Sequence, residues 1–142
     1  MRVAMAFERR IVVDTGVLVS AAIRPQSIPA LALEKAWLLF DVCASHSTLA
    51  ELRRVLLADK FEAYRPLASR SLFVTGFVQR ATRFEVTISV TDCRDAKDNQ
   101  FLELAETANA EIILSSDADL TVLHPWRGIP ILPPAAFLVG VH

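Results

Sequence analysis

Cysteine, histidine and aromatic residues are scarce in this chain, and each shortage removes a class of protein. The two cysteines, Cys43 and Cys93, form no ligand-like pair, so neither a disulfide framework nor a structural zinc site is expected. Cys43 lies in the apolar run Phe40-Asp41-Val42-Cys43-Ala44 and reads as a buried thiol. His46, His124 and His142 lack the spacing of zinc ligands. No stretch reaches the roughly 18 uncharged apolar residues of a membrane span. Residues 1–10 hold too short an apolar segment for a signal peptide, which makes a cytoplasmic location the expectation. Aromatics are 8% of the chain against 53% for all apolar residues. The core should therefore consist of Leu, Val, Ile and Ala, as suits helices packed on a sheet.

An overall basic footprint for nucleic acid is also missing, since the net charge is −1. The sum hides an asymmetry: residues 1–83 carry 12 Lys and Arg against 7 Asp and Glu, and residues 84–142 carry 3 against 9. Glu103, Glu106 and Glu111 read as solvated surface. The other acids of the second half need a closer reading.

A length of 142 residues fits one domain (1–142, with its core at about 10–138). Residues 10–14 form a β-branched run that ends in an acid, as a buried strand would. A short helix over 17–23 follows, then a second from Ser27 to about Leu39 with Pro29 in its first turn. Strands are expected at 40–44, 84–88, 111–115 and 129–132. Helices are expected at 48–58, after Pro66 (burying Leu67, Leu72, Phe73, Phe77 and Val78), and at 98–108. Strands that alternate with helices predict an α/β fold with a mainly parallel, five-stranded sheet covered on both faces.

In such sheets ligands bind at the carboxyl ends of the strands. Asp14 ends the first strand; Asp117 and Asp119 follow the fourth. Asp92, Asp95 and Asp98 precede the long helix, and Glu51 lies one turn into the helix after the second strand. Crowded carboxylates repel and raise each other's pKa. A hard divalent cation relieves that repulsion, and Mg²⁺ is commonly held by one or two carboxylates with substrate phosphate oxygens completing its shell. The pattern points to phosphoryl chemistry on a polyanion. Each acid also has an ordinary structural reading: Thr48 and Glu51 as a capping box, Asp98 and Asp117 as N-caps, Asp14 as a strand terminator.

Four segments carry a resemblance: Asp14-Thr15-Gly16-Val17-Leu18-Val19-Ser20-Ala21, Ser47-Thr48-Leu49-Ala50-Glu51-Leu52-Arg53-Arg54-Val55-Leu56, Arg94-Asp95-Ala96-Lys97-Asp98-Asn99 and Ser115-Ser116-Asp117-Ala118-Asp119-Leu120. In this order they resemble the successive motifs of PIN domains, most closely those of the toxin components of bacterial and archaeal toxin–antitoxin pairs. The resemblance implies a three-layer α/β/α sandwich and a Mg²⁺- or Mn²⁺-dependent endoribonuclease. By motif position Asp14, Glu51, Asp98 and Asp117 match the catalytic and metal-binding acids, with Asp119 a further metal ligand and Asp95 an accessory acid. It further implies RNA as substrate, a homodimer, and a small antitoxin protein that covers the site. One departure stands out: Gly16 occupies a position where the family usually has Asn. That departure supports an alternative, a catalytically weakened PIN domain that binds RNA or protein. A response-regulator receiver, which also has an acidic Mg²⁺ pocket, lacks its paired acids here, since Asp14 stands alone, and Pro133-Pro134 follows the last strand where a Lys is needed.

Overall fold

The computed structural model describes residues 9–142; the reading of the chain's start as no signal peptide falls mostly on residues 1–8, outside that range. The elements in chain order are β1 (Arg10–Val13), α1 (Thr15–Ile23), α2 (Ile28–Leu39), β2 (Asp41–Ala44), α3 (His46–Leu56), α4 (Leu67–Arg80), β3 (Thr82–Arg83), α5 (Asn99–Ala108), β4 (Ile112–Leu114), α6 (Ala118–Thr121), β5 (Ile131–Leu132) and α7 (Pro134–Gly140). All strand pairs are parallel, in the order β3-β2-β1-β4-β5. The α/β class and the five-stranded sheet expected from the sequence are what is found.

Alternation along the strands makes three layers, because successive side chains point to opposite faces. Ile11, Val13, Val42, Ala44, Ile112 and Leu114 join one apolar core with α1, α2, α3, α4 and α7. Val12, Cys43, Ile113 and Ile131 join a second core under α5 and α6. Both faces are thus covered, as parallel sheets require. Cys43 lies in the second core as expected, and burial pushes its thiol up to about 12.

The topology fixes where a site can form. From β1 the chain winds outward through β2 to β3, then returns across the sheet through α5 to β4 and outward again to β5. Strand order therefore reverses between β1 and β4, which opens a crevice at their carboxyl ends.

Three details differ from the sequence expectation. The third strand is Thr82–Arg83 rather than 84–88. Its partner β2 ends at Ala44, so pairing stops once the Phe84 N–H has donated to the Ala44 carbonyl at 2.9 Å. Phe84 and Val86 still alternate inward onto the second core, without a ladder. Leu67 and Leu72 are exposed, at 49% and 74%, and α4 buries Arg70. After the last strand comes a helix not expected from the sequence: Pro134 opens α7, where a missing N–H costs nothing. Phe137 of α7 is fully buried against Phe40. Among the described residues no single helix is long and apolar enough to cross a membrane.

Arg70 is 1% exposed. Its guanidinium donates to the carbonyls of Leu56, Ala58 and Arg65 and pairs with Glu62, closing the connection from α3 to α4. The Leu56 and Ala58 carbonyls lie at and just beyond the end of α3, and the Arg65 carbonyl lies just before α4, so one side chain ties the two helices together. Arg70→Ala should destabilise the fold by about 2–4 kcal/mol in urea unfolding, because buried acceptors lose their donors. Glu62→Gln, at an exposed carboxylate, should cost less than about 1 kcal/mol.

Candidate active site

Two of the acids are positioned by the first turns of helices. Asp14 is the N-cap of α1 and accepts from the Val17 N–H at 2.9 Å. Asp117 is the N-cap of α6 and accepts from the Asp119 N–H at 2.9 Å. The capping reading of Asp117 holds, and Asp14, read as a strand terminator, caps a helix as well. Both carboxylates line the same cleft; a cap leaves lone pairs free. The Ser115 hydroxyl ties the two across the β1–β4 crevice: it donates to Asp14 Oδ2 and accepts from the Asp117 N–H at 3.0 Å.

Glu51 departs from the capping reading. The N-cap of α3 is Ser45, and Thr48 is the third helical residue that closes the box with it. Glu51 is thereby released to reach across to α1, where it accepts from the Thr15 hydroxyl. Arg54, three residues on, approaches Glu51 Oε1 at 3.7 Å.

Asp98 is 6% exposed, makes no capping bond to α5, and its Oδ2 has no hydrogen-bond partner. It ends a single 3-10 turn, Ala96–Asp98. Asn99 holds that turn in place by accepting from the Cys93 N–H at 2.8 Å and donating to the Ala96 carbonyl at 3.1 Å. This anchoring role of Asn99 was not drawn from the sequence, although its type, a buried amide beside a turn, suits it. Asp14, Glu51, Asp98 and Asp117 line one cleft of about 400 Å³, together with Thr15, Gly16, Ser20, Lys97 and Ser116. A tighter group shares Asp98: one ligand atom each from Asp95, Asp98 and Asp119 lie within 4.8 Å of one another. The sequence-predicted acids are therefore brought together in two overlapping sets that meet at Asp98. Asp92 is not among them, since it accepts from Trp126 Nε1 at 2.8 Å. Glu103, read as solvated surface, takes the Val90 N–H at 2.9 Å instead.

The electrostatics follow from this crowding. Burial pushes the Asp14 carboxyl up to about 6, helped by Asp117 and Glu51 and opposed by its bonds from Ser115 and Val17. Burial pushes Asp98 up to about 7, reinforced by facing Asp117 and by the charges of Asp95 and Asp14. Two ionised carboxylates have no proton to share, which is why Asp98 Oδ2 stands alone; a protonated Asp98 would donate to Asp117.

An open parallel sheet with carboxylates converging on its strand-order reversal defines a class of proteins that handle ligands through acidic oxygens. A model of the PIN domain matches residues 10–119. An uncharacterised protein of Methanocaldococcus jannaschii is 32% identical over 119 residues, which span 80% of this chain and 74% of that protein. This chain belongs to the PIN-domain family, whose members are generally nucleases. Two solved structures share the fold. The PAE2754 protein of Pyrobaculum aerophilum superposes with a TM-score of 0.62 at 15% identity, covering 92% of this chain and 88% of that one. The VapBC2 structure of Rickettsia felis, bound to a DNA fragment from its promoter, gives 0.59 at 11% identity, covering 87% and 98%.

The raised carboxyl groups make stability depend on pH with a definite sign. The folded state binds protons at Asp14 and Asp98 that the unfolded chain has released by about pH 4. Their contribution is complete below that pH and is lost as pH rises through about 6 and 7. In EDTA, the melting temperature should fall between about pH 5 and 8. Asp98→Asn should flatten that fall and raise the melting temperature at pH 8.

Proposed function

We propose that the protein is a Mg²⁺- or Mn²⁺-dependent endoribonuclease, with Asp14, Glu51, Asp98 and Asp117 as its catalytic acids. The observation that carries this reading is the buried Asp98 carboxylate with an oxygen left unpartnered among facing acids. An uncompensated buried charge is costly, and a divalent cation is the group that would compensate it. The donor set fits such an ion. It consists of hard carboxylate and hydroxyl oxygens, with neither His nor Cys lining the cleft, which suits Mg²⁺ or Mn²⁺ over zinc. Asp14, Glu51, Asp98 and Asp117 would hold the metal, with Asp119 as a further ligand.

When bound, the metal would supply a Lewis acid and a more acidic water beside a phosphodiester. The chain's own residues do the positioning. Ser115 fixes Asp14 against β4 and keeps one hydroxyl proton on its Oδ2. Thr15 holds Glu51 in the cleft, and Asn99 holds the turn that presents Asp98. The oxygens are thereby fixed before a substrate arrives, so little reorganisation is needed.

The same reading expects the toxin of a toxin–antitoxin pair: cytoplasmic, homodimeric and silenced by a small antitoxin. Support comes from the motif order and from the shared fold of the VapBC2 structure. Purified protein should cleave RNA with Mn²⁺ or Mg²⁺ and stop in EDTA. Asp14→Asn, Asp98→Asn and Asp117→Asn should each reduce cleavage by about 100-fold or more while remaining folded. Cleavage that persists in EDTA, or in all three variants, would refute the assignment.

Gly16 favours the second reading, a weakened enzyme that binds RNA or protein. It lies in the first turn of α1 and lines the cleft without a positive φ. A Cβ added there meets Asp14 Oδ1 at 3.6 Å, an ordinary contact. The backbone there therefore accepts a Cβ, which would start beside Asp14. Gly16→Asn should raise Mn²⁺-supported cleavage by roughly 10-fold, in line with the worth of groups that orient metal ligands. Unchanged cleavage would mean that Thr15 and Ser115 already suffice.

A further inference from the structure

The acidic cleft has a problem with its own substrate, because an RNA strand must bring phosphates to an edge crowded with carboxylates. Cations nearest the acids are already paired: Arg54 with Glu51 at 3.7 Å, Lys97 with Asp95 at 3.8 Å, and Arg94 with Asp119 at 3.2 Å. On the other flank of α3 the situation differs. His46, the first residue of α3, and Arg53, two turns on, share one helix face. Arg83 ends β3 at the same carboxyl edge of the sheet, and its guanidinium meets His46 Nδ1 at 3.3 Å. These three side chains surround a depression of about 210 Å³ floored by Leu49, Ala50 and Val78. All three are exposed. Neither Arg53 nor Arg83 has an acid within ion-pair distance among the described residues. The positive end of α3, an 11-residue helix, adds to the same field.

We propose that His46, Arg53 and Arg83 form a phosphate-binding subsite for the RNA strand, displaced across α3 from the acidic cleft. The proposal rests on the ribonuclease reading and extends it. The ridge of α3 between the two depressions carries exposed Ser47 and Arg54, a small and a basic side chain that let a strand cross. Glu51, the one acid of α3, is turned inward to Thr15. Arg83 can present a planar fork to a phosphate, with His46 accepting from its far side and fixing its direction. The basic excess of residues 1–83 thus acquires a location beside the acids of residues 84–142, where an attractive track can offset their repulsion.

The test measures binding with cleavage switched off. A fluorescently labelled single-stranded oligoribonucleotide is titrated with the protein in EDTA, between about 50 and 200 mM salt. Arg53→Gln and Arg83→Gln should each weaken binding roughly three- to tenfold. The double variant should reduce the slope of log affinity against log salt by about 1.4, since each single-strand phosphate contact contributes about 0.7. Arg53→Lys and Arg83→Lys, which keep the charge, should retain most of the affinity. Arg127→Gln, in the turn before β5 at the opposite edge of the sheet, should change nothing. With Mn²⁺ present, the double variant should show a raised KM and a kept kcat. A double variant with the parent's affinity and salt slope would overturn the proposal, as would a parent that does not bind RNA in EDTA. Neither result touches the ribonuclease reading, which fails separately if cleavage proves independent of metal.

Discussion

Negative charge crowded at the crevice between β1 and β4 is the constraint to which the rest of the site answers. The sheet order makes that crevice, and the strand ends deliver Asp14 and Asp117 to it from opposite sides. Repulsion there is relieved in three ways. Hydroxyls of Ser115 and Thr15 bond to two of the carboxylates. Asp14 and Asp98 hold their protons to higher pH than ordinary carboxyls do. Arg54, Lys97 and Arg94 stand over the outer acids. The hydroxyls and cations leave Asp98 Oδ2 without a partner when that carboxyl is ionised.

The fold around this crevice is rigid where the acids need it. Asp14 follows a strand whose interior residues are almost wholly buried, and its own N–H donates to the Leu114 carbonyl at 3.0 Å. Asp14 is thus registered to β4 by backbone and side chain together. Asp98 comes from a turn rather than a strand, so its placement depends on the two bonds of Asn99. Glu51 depends on α3, whose far end is closed by the buried Arg70. A packing residue distant from the acids therefore also bears on their geometry.

Much of this was legible in the sequence because strand ends and acids coincide there. The β-branched runs ending at Asp14 and near Asp117 located two acids, and the ordered motifs brought in Glu51 and Asp98. What was not legible depends on tertiary neighbours. Ser45 and Thr48 compete for the cap of α3, and the residue that wins releases Glu51. The alternation at Phe84 and Val86 is real, but β2 is too short to pair with it. Leu72 is exposed and Arg70 buried, because the Arg70 guanidinium reaches the Leu56, Ala58 and Arg65 carbonyls between α3 and α4. Asp92 was counted among the acids of the edge, yet its partner is an indole N–H from a residue 34 positions away.

The central claim is that the unpartnered oxygen of Asp98 and the facing carboxylates form one cation site. Melting curves at pH 7.5, with EDTA or with Mn²⁺ at ten times its Kd, test it without reference to any RNA. A cation bound only by the folded state should stabilise the parent by about 1.4 kcal/mol. For a domain of this size that is a rise of roughly 3–6 °C. Asp98→Asn should melt higher than the parent in EDTA and gain much less from Mn²⁺. Identical melting temperatures for both proteins under both conditions would contradict the account, leaving these acids as separate caps and turns.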